Sequence, residues 1–312
     1  MNRRRIRNVI LHFFSFVEIK TKLASVLPFL CALAYAFYLT GGLNWRSTLI
    51  FLAGDLLFDM SVTAINMHLD KRESGEKPHY PTAVSLAVIF GLIGSAAVFG
   101  LYVAYLHGLA VLLAGFVCFA AGIAYTFGPM PISKSPYGEL VSGFVEGFVL
   151  MFIVTAINTP GYLIADITVS LETWRALIHL DGLNLLRLAL VTAPASLCIA
   201  NIMLANNTCD LEIDWNRRYT MPRHIGLKNA LRLYGWLYYA VYVLIAAASL
   251  TGAVPPLCLL TLATLVPVGK NIRRFREKQT KPETFPLSIM NFALITAVFT
   301  ATLAAGAWLA RV

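Results

Sequence analysis

A chain of 312 residues in which 58% of side chains are hydrophobic and only 13% charged, with a mean hydropathy of +0.70, excludes a soluble globular domain. The net charge of +9 calls for no nucleic acid, because the basic residues stand in short links between apolar runs, where they mark the cytoplasmic side and meet anionic lipid headgroups. Cys31, Cys118, Cys198, Cys209 and Cys258 are scattered singly without C-x-x-C spacing, which reads as apolar packing rather than as disulfides or zinc.

Residues 1–7 are basic, and residues 9–19 mix Phe13, Phe14 and Phe16 with His12 and Glu18. That is the pattern of an amphipathic helix lying in the membrane interface; a cleaved signal peptide competes, but no A-x-A-like site follows. Apolar runs then recur at about 23–40, 46–65, 81–104, 108–127, 138–157, 185–205, 230–252, 254–269 and 286–308, against roughly 20 residues needed per span. They predict an all-α bundle of nine transmembrane helices within one domain covering residues 1–312. With the N-terminus inside, all of the 25 Lys and Arg residues except Arg46, Arg175, Arg187 and Arg311 fall on the cytoplasmic side. One missed span would invert every later link, so the alternation supports nine helices, a multi-pass protein of the cell membrane and a cytoplasmic N-terminus.

Span two carries Asp55, Asp59, Thr63 and Asn66 on one helical face and ends in Asn66-Met-His-Leu-Asp70. Intramembrane carboxylates default to function, although Asp59 can equally be hydrogen-bonded to a neighbouring helix. Lys20 and Lys22 stand at the cytoplasmic end of span one, as interfacial anchors or as contacts to a substrate headgroup. Spans three and four are almost purely apolar and read as scaffold. Span four ends at Tyr125, terminated by Gly128, Pro129 and Pro131. Lys134 and Glu139 follow, with Glu146 two turns into span five. Residues 158–184 read as an outward loop or surface helix. Span six ends in Asn206-Asn-Thr-Cys-Asp210-Leu-Glu-Ile-Asp214, whose spacing stacks Asn206, Asp210 and Asp214 on one helical face, and the next loop supplies Arg217 and Arg218. The basic link 270–281 reads as a positive-inside anchor, with diphosphate contact as the lesser alternative.

Each N-x-x-x-D motif closes the second helix of a four-helix set, so nine spans parse as four, four and one, with the motifs facing each other across a central cavity. Oxygen ligands gathered at the mouth of a bundle suit Mg²⁺, which is held by one or two carboxylates while substrate phosphates complete its shell. The predicted ligand is a diphosphate held through magnesium. Asp70, Asp210, Asp214, Asn66 and Asn206 are the candidate metal ligands. Asp59 and Glu146 are candidate substrate or proton-handling groups, and Tyr125 is the candidate ring for holding a carbocation. A secondary transporter also places charged groups among helices, but its sites lie at midplane on broken helices, whereas these motifs cluster at one face.

The two motifs, the nine-helix pattern and the turn Tyr125-Thr126-Phe127-Gly128-Pro129 with Gly138-Glu139 resemble the UbiA superfamily of intramembrane prenyltransferases over nearly the whole chain. Within it, the sequence is most similar to the 1,4-dihydroxy-2-naphthoate prenyltransferases. The resemblance implies Mg²⁺-dependent transfer of a polyprenyl chain from its diphosphate to an aromatic acceptor, with loss of carbon dioxide and pyrophosphate, giving demethylmenaquinone. It also implies Glu76 as a further metal ligand from the loop after span two, and Lys71, Arg72, Lys134, Arg217 and Arg218 as candidate contacts to phosphate oxygens. Superfamily members with other acceptors, such as 4-hydroxybenzoate, haem or a glycerol phosphate lipid, remain open at this point. The sequence departs from the family pattern in three places. Met67 stands where a second carboxylate is usual, Glu76 takes the place of the later loop acid with Glu73 nearby, and the loop after Asp214 is about a residue shorter.

Overall fold

The computed structural model describes residues 13–17, 22–75, 77–160, 165–170 and 175–312. Helix ends fall at the glycines, prolines and polar caps that punctuate the apolar runs. Helix α1 (Leu23–Thr40) stops at Gly41, whose φ of 76° lies in the left-handed region that side chains resist. Helix α2 (Trp45–Ser74) begins where Asn44 Oδ1 accepts from the amide of Ser47 and ends at Gly75. There follow α3 (Thr82–His107), α4 (Leu109–Thr126), α5 (Gly138–Asn158), α6 (Gly182–Cys209) and α7 (Leu227–Leu250). A 3₁₀ stretch Pro256–Thr264 leads into α8 (Leu265–Glu277), and α9 (Phe285–Leu309) completes the bundle. Among the described residues, α2 to α7 and α9 are seven helices long and apolar enough to cross a membrane; the apolar part of α1, Ser25–Thr40, is shorter. The eighth apolar run is not a regular helix throughout, because Pro255-Pro256 removes two amide donors from its start.

Two packing features position the site. Helices α1 and α5 to α9 share a buried core that includes Tyr35, Tyr234, Tyr238, Phe275, Phe292 and Phe299, where Tyr234 Oη and Ser288 Oγ lie 2.9 Å apart and Asn201 donates to the Tyr234 carbonyl. Helix α5 meets α6 at very close range. It does so through Gly143 and Gly147, because a Cβ on Gly143 would stand 2.5 Å from the Ser196 carbonyl and one on Gly147 would strike Ser196 itself. The same stretch, Gly143–Val149, is wound as a π-helix, a local widening that re-aims side chains and recurs at functional sites. At the opposite end, Asn158 accepts from Asn44 N and Thr48 Oγ1, tying the end of α5 to the start of α2.

Three expectations are revised. Among the described residues of 158–184, Ala165–Ser170 (β1) pairs antiparallel with Arg175–Leu180 (β2), with Ile167 opposite Ile178, where a loop or a surface helix was expected. Alternation explains it, since Ala165, Ile167 and Val169 share a face with Ala176, Ile178 and Leu180. The described part of the N-terminal segment, 13–17, packs on the bundle, a contact the sequence did not show. Phe16 and Val17 are buried against Ala64 and Ile89 of α2 and α3, and Phe16 packs edge-on to Tyr80. Helices α3 and α4 are more than scaffold, because they form much of the wall of an internal cavity.

Candidate active site

The two asparagine–aspartate motifs converge. Asp70 lies one turn before the end of α2, and Asp214 lies just past α6. Arg218 joins them: its Nη2 stands 3.5 Å from Asp70 Oδ1 and its Nε 3.5 Å from Asp214 Oδ2. The side chains of Arg218 and Asp214 are 24% and 19% exposed, so this bridge is partly shielded from water. Beside it, Lys281 reaches in from the link between α8 and α9, standing 2.8 Å from Asp210 Oδ2 and donating to Asn206 Oδ1. The second motif does not ride on a continuous helix. The α-helix ends at Cys209, and Asp214 keeps its register through a turn in which its amide donates to the Asp210 carbonyl at 2.8 Å. The polar run that leaves the bundle here favours such turns over helix.

Neighbouring groups fix this rim. Arg223 donates to the Arg218 carbonyl and lies over the rings of Trp215 and Tyr219, at 5.0 and 5.2 Å. The Tyr219 amide donates to the Lys134 carbonyl. Glu139, 6% exposed, accepts from Asn207 Nδ2 at 2.9 Å, linking the start of α5 to the second motif. Lys71 donates to the Lys77 carbonyl, and Arg72 and Arg217 are exposed. Glu76 lies outside the described residues. Of the two arginines that the sequence left undecided, Arg218 faces the carboxylates.

Below the rim lies a cavity of about 440 Å³ between α2, α3, α4 and α5. It begins one turn from Asn66, at Val62, and two residues from Tyr125, at Ile123. Tyr125 Oη is buried without a hydrogen-bond partner among the described residues, against the backbone of Gly138. Asp55, Asp59 and Glu146 interrupt the apolar wall. Asp59 is held from α1: Lys22 Nζ stands 2.8 Å from Oδ1 and also donates to Thr63, while Ser25 donates to Oδ2 at 2.7 Å. This settles Lys22 as a buried partner of Asp59, with its side chain 6% exposed.

Asn66, Asp70, Asn206, Asp210 and Asp214 are hard oxygen donors of the kind magnesium takes. Among the described residues no three His, Cys, Asp or Glu side chains stand close enough to form an all-protein cage; two cations sit on the carboxylates instead. The donor set therefore fits a metal that arrives with phosphate ligands of its own. Sequence reading gave Glu139 and Asn207 no role in the site and weighed Lys281 only as part of the basic link 270–281. Lys281 lay in a run of six basic residues, and nothing in that run distinguished it.

The profile of the UbiA prenyltransferase family matches residues 25–295. The chain belongs to the UbiA prenyltransferase family. A curated UbiA relative, 1,4-dihydroxy-2-naphthoate octaprenyltransferase of Bacillus subtilis (strain 168), is 29% identical over 164 residues, which is 52% of this chain and 46% of that protein; the match thus spans about half the relative's length. Among solved structures, digeranylgeranylglyceryl phosphate synthase superposes with a TM-score of 0.66 at 13% identity, over 96% of this chain and 98% of that one. A UbiA homologue from Archaeoglobus fulgidus, bound to GPP and Mg²⁺, gives 0.64 at 14% identity, over 95% and 99%. One from Aeropyrum pernix K1 gives 0.62 at 20% identity, over 92% and 98%. These likenesses show the UbiA fold along nearly the full chain.

Proposed function

We propose that this protein transfers a polyprenyl chain from polyprenyl diphosphate to 1,4-dihydroxy-2-naphthoate in the cell membrane, releasing carbon dioxide and pyrophosphate and leaving demethylmenaquinol, the reduced form of demethylmenaquinone. The observation that carries the reading is Arg218, which brings Asp70 and Asp214, from motifs far apart in sequence, to one guanidinium. A site of this kind has charge for a diphosphate at its rim and an apolar chamber for an isoprenoid directly beneath. The choice of acceptor is supported by the Bacillus subtilis relative.

Asn66, Asp70, Asn206, Asp210 and Asp214 hold Mg²⁺, with Glu76 as a further ligand from the adjoining loop. Bound Mg²⁺ supplies neutralisation of the diphosphate and stabilises the departing pyrophosphate. Arg218 and Lys281 turn from the carboxylates onto phosphate oxygens, exchanging one charge-assisted partner for another, while Lys71, Arg72, Lys134 and Arg217 add positive potential around the rim. Tyr125 offers its ring where positive charge develops on the allylic carbon, and the apolar wall keeps water from that carbon. Asp59, fixed by Lys22, and Glu146 serve the acceptor end. The topology that accompanies this reading is nine crossings in a four, four and one arrangement, with the N-terminus and the site on the cytoplasmic side.

Membranes containing the protein, given a polyprenyl diphosphate, Mg²⁺ and dihydroxynaphthoate, are expected to form the prenylated naphthoquinol, with activity lost in EDTA and restored by added Mg²⁺. Asp70→Asn and Asp210→Asn are expected to abolish turnover while the protein stays folded in the membrane. Turnover of 4-hydroxybenzoate with none of dihydroxynaphthoate overturns the acceptor; no turnover with any prenyl acceptor overturns the reading.

A further inference from the structure

The three carboxyl groups in the cavity differ in their partners. Asp59 is engaged on both oxygens by Lys22 and Ser25. Asp55, one turn deeper on the same face of α2, has its Oδ2 buried and without a hydrogen-bond partner among the described residues. Glu146 enters the same cavity from the π-helical stretch of α5 and makes no hydrogen bond to a described residue. A buried acceptor left unpaired costs free energy that a donor on a ligand recovers. A hydrocarbon tail cannot supply that donor.

The rest of the wall narrows the ligand further. Phe58 of α2 and Phe119 of α4 stack with ring centroids 4.1 Å apart, and both line the cavity. Stacked rings favour a flat aromatic neighbour. The cavity's near end, at Val62 and Ile123, is about 12 Å along α2 from Asp70 at 1.5 Å per residue. A ligand there lies between the deep carboxyl groups and the diphosphate rim. Its anionic substituents are drawn toward Arg218 at the rim.

We infer that Asp55 and Glu146 form the acceptor subsite, taking hydrogen bonds from the ring hydroxyls of an aromatic diol. This rests on the prenyl transfer proposed above and extends it to the deep carboxyl groups. Asp59 is the anchored member of the trio, and Asp55 and Glu146 are the two that read the ligand.

The test uses binding rather than turnover, so that it stands apart from the transfer reaction. The full-length protein in nanodiscs, under anaerobic conditions, is titrated with 1,4-dihydroxynaphthalene and with 1,4-dimethoxynaphthalene, which has the same ring but no donors. The expected result is a preference for the diol of about ten- to a hundredfold, the scale of two hydrogen bonds to buried acceptors. Asp55→Leu combined with Glu146→Leu removes that preference, and the near-isosteric Asp55→Asn lowers it, while affinity for prenyl diphosphate stays within about twofold on the same scale. Equal binding of diol and diether by the unsubstituted protein overturns the subsite. So does a preference that survives the leucine pair, or a leucine pair that gains prenyl diphosphate affinity with the preference intact, which marks the cavity as a tail tunnel. If the diol preference holds but membranes transfer no prenyl group, it is the transfer reaction that fails and the subsite that stands.

Discussion

Replacing Arg218 with Gln separates the two roles that a rim arginine can play. If it only holds the fold, the loss is that of two ion pairs at 3.5 Å, with Asp70 44% exposed and Asp214 19% exposed. Partly exposed pairs contribute roughly 0.2–1 kcal/mol each, so the folded state should weaken by about 1–2 kcal/mol at most. If Arg218 also binds the diphosphate, the loss of charge-assisted hydrogen bonds, about 1.5–3 kcal/mol, lowers kcat/KM for prenyl diphosphate by roughly ten- to 150-fold. We expect the second, large effect in a steady-state transfer assay, with the unfolding midpoint in detergent moved by only a few degrees. Arg218→Lys should recover little, because a single ammonium cannot reach both carboxylates as the guanidinium fork does. A variant that unfolds but, where folded, turns over normally refutes the reasoning, as does one unchanged in both measurements.

Two further outcomes follow from packing. Lys22→Met leaves Asp59 without its counter-charge in a largely buried setting, and losing one partner of such a pair costs about 3–5 kcal/mol; thermal unfolding of the purified protein should show it, and Asp59→Leu in the same chain should restore most of the loss. Gly147→Val forces a side chain into Ser196 of α6, and overpacking of this kind costs about 1–3 kcal/mol or more. The expected readout is loss of the monodisperse peak in size-exclusion chromatography, with Gly147→Ala intermediate.

The residues that could be read from sequence are those whose meaning is local. Spacing of four placed Asn66 with Asp70 and Asn206 with Asp210, and length and hydropathy marked the helices that the fold contains. Arg218 was one of two adjacent candidates, and only the turn after Cys209 chose between them. Lys281 and Lys22 were legible as basic residues at a membrane edge but not as partners, because their carboxylates lie 71 and 37 positions away, a separation that no periodicity reports. The hairpin was missed through its mixed strand β2, where Leu177 falls on the polar face and blurs the alternation. Helices α3 and α4 look like plain lipid-facing scaffold for a related reason: apolar side chains that line a cavity are indistinguishable by composition from those that meet lipid.

Helix α5 reaches three places at once. Its first turn grips Asn207 through Glu139, its glycines press it onto α6, and about 10 Å farther along, at 1.5 Å per residue, Glu146 enters the chamber. Such a rod works as a splint between the second motif and the deep pocket. In the proposed reaction, any shift of that motif as pyrophosphate departs would be handed along it to the far end of the chamber, so product release at the mouth and the grip on the acceptor would share one mechanical part.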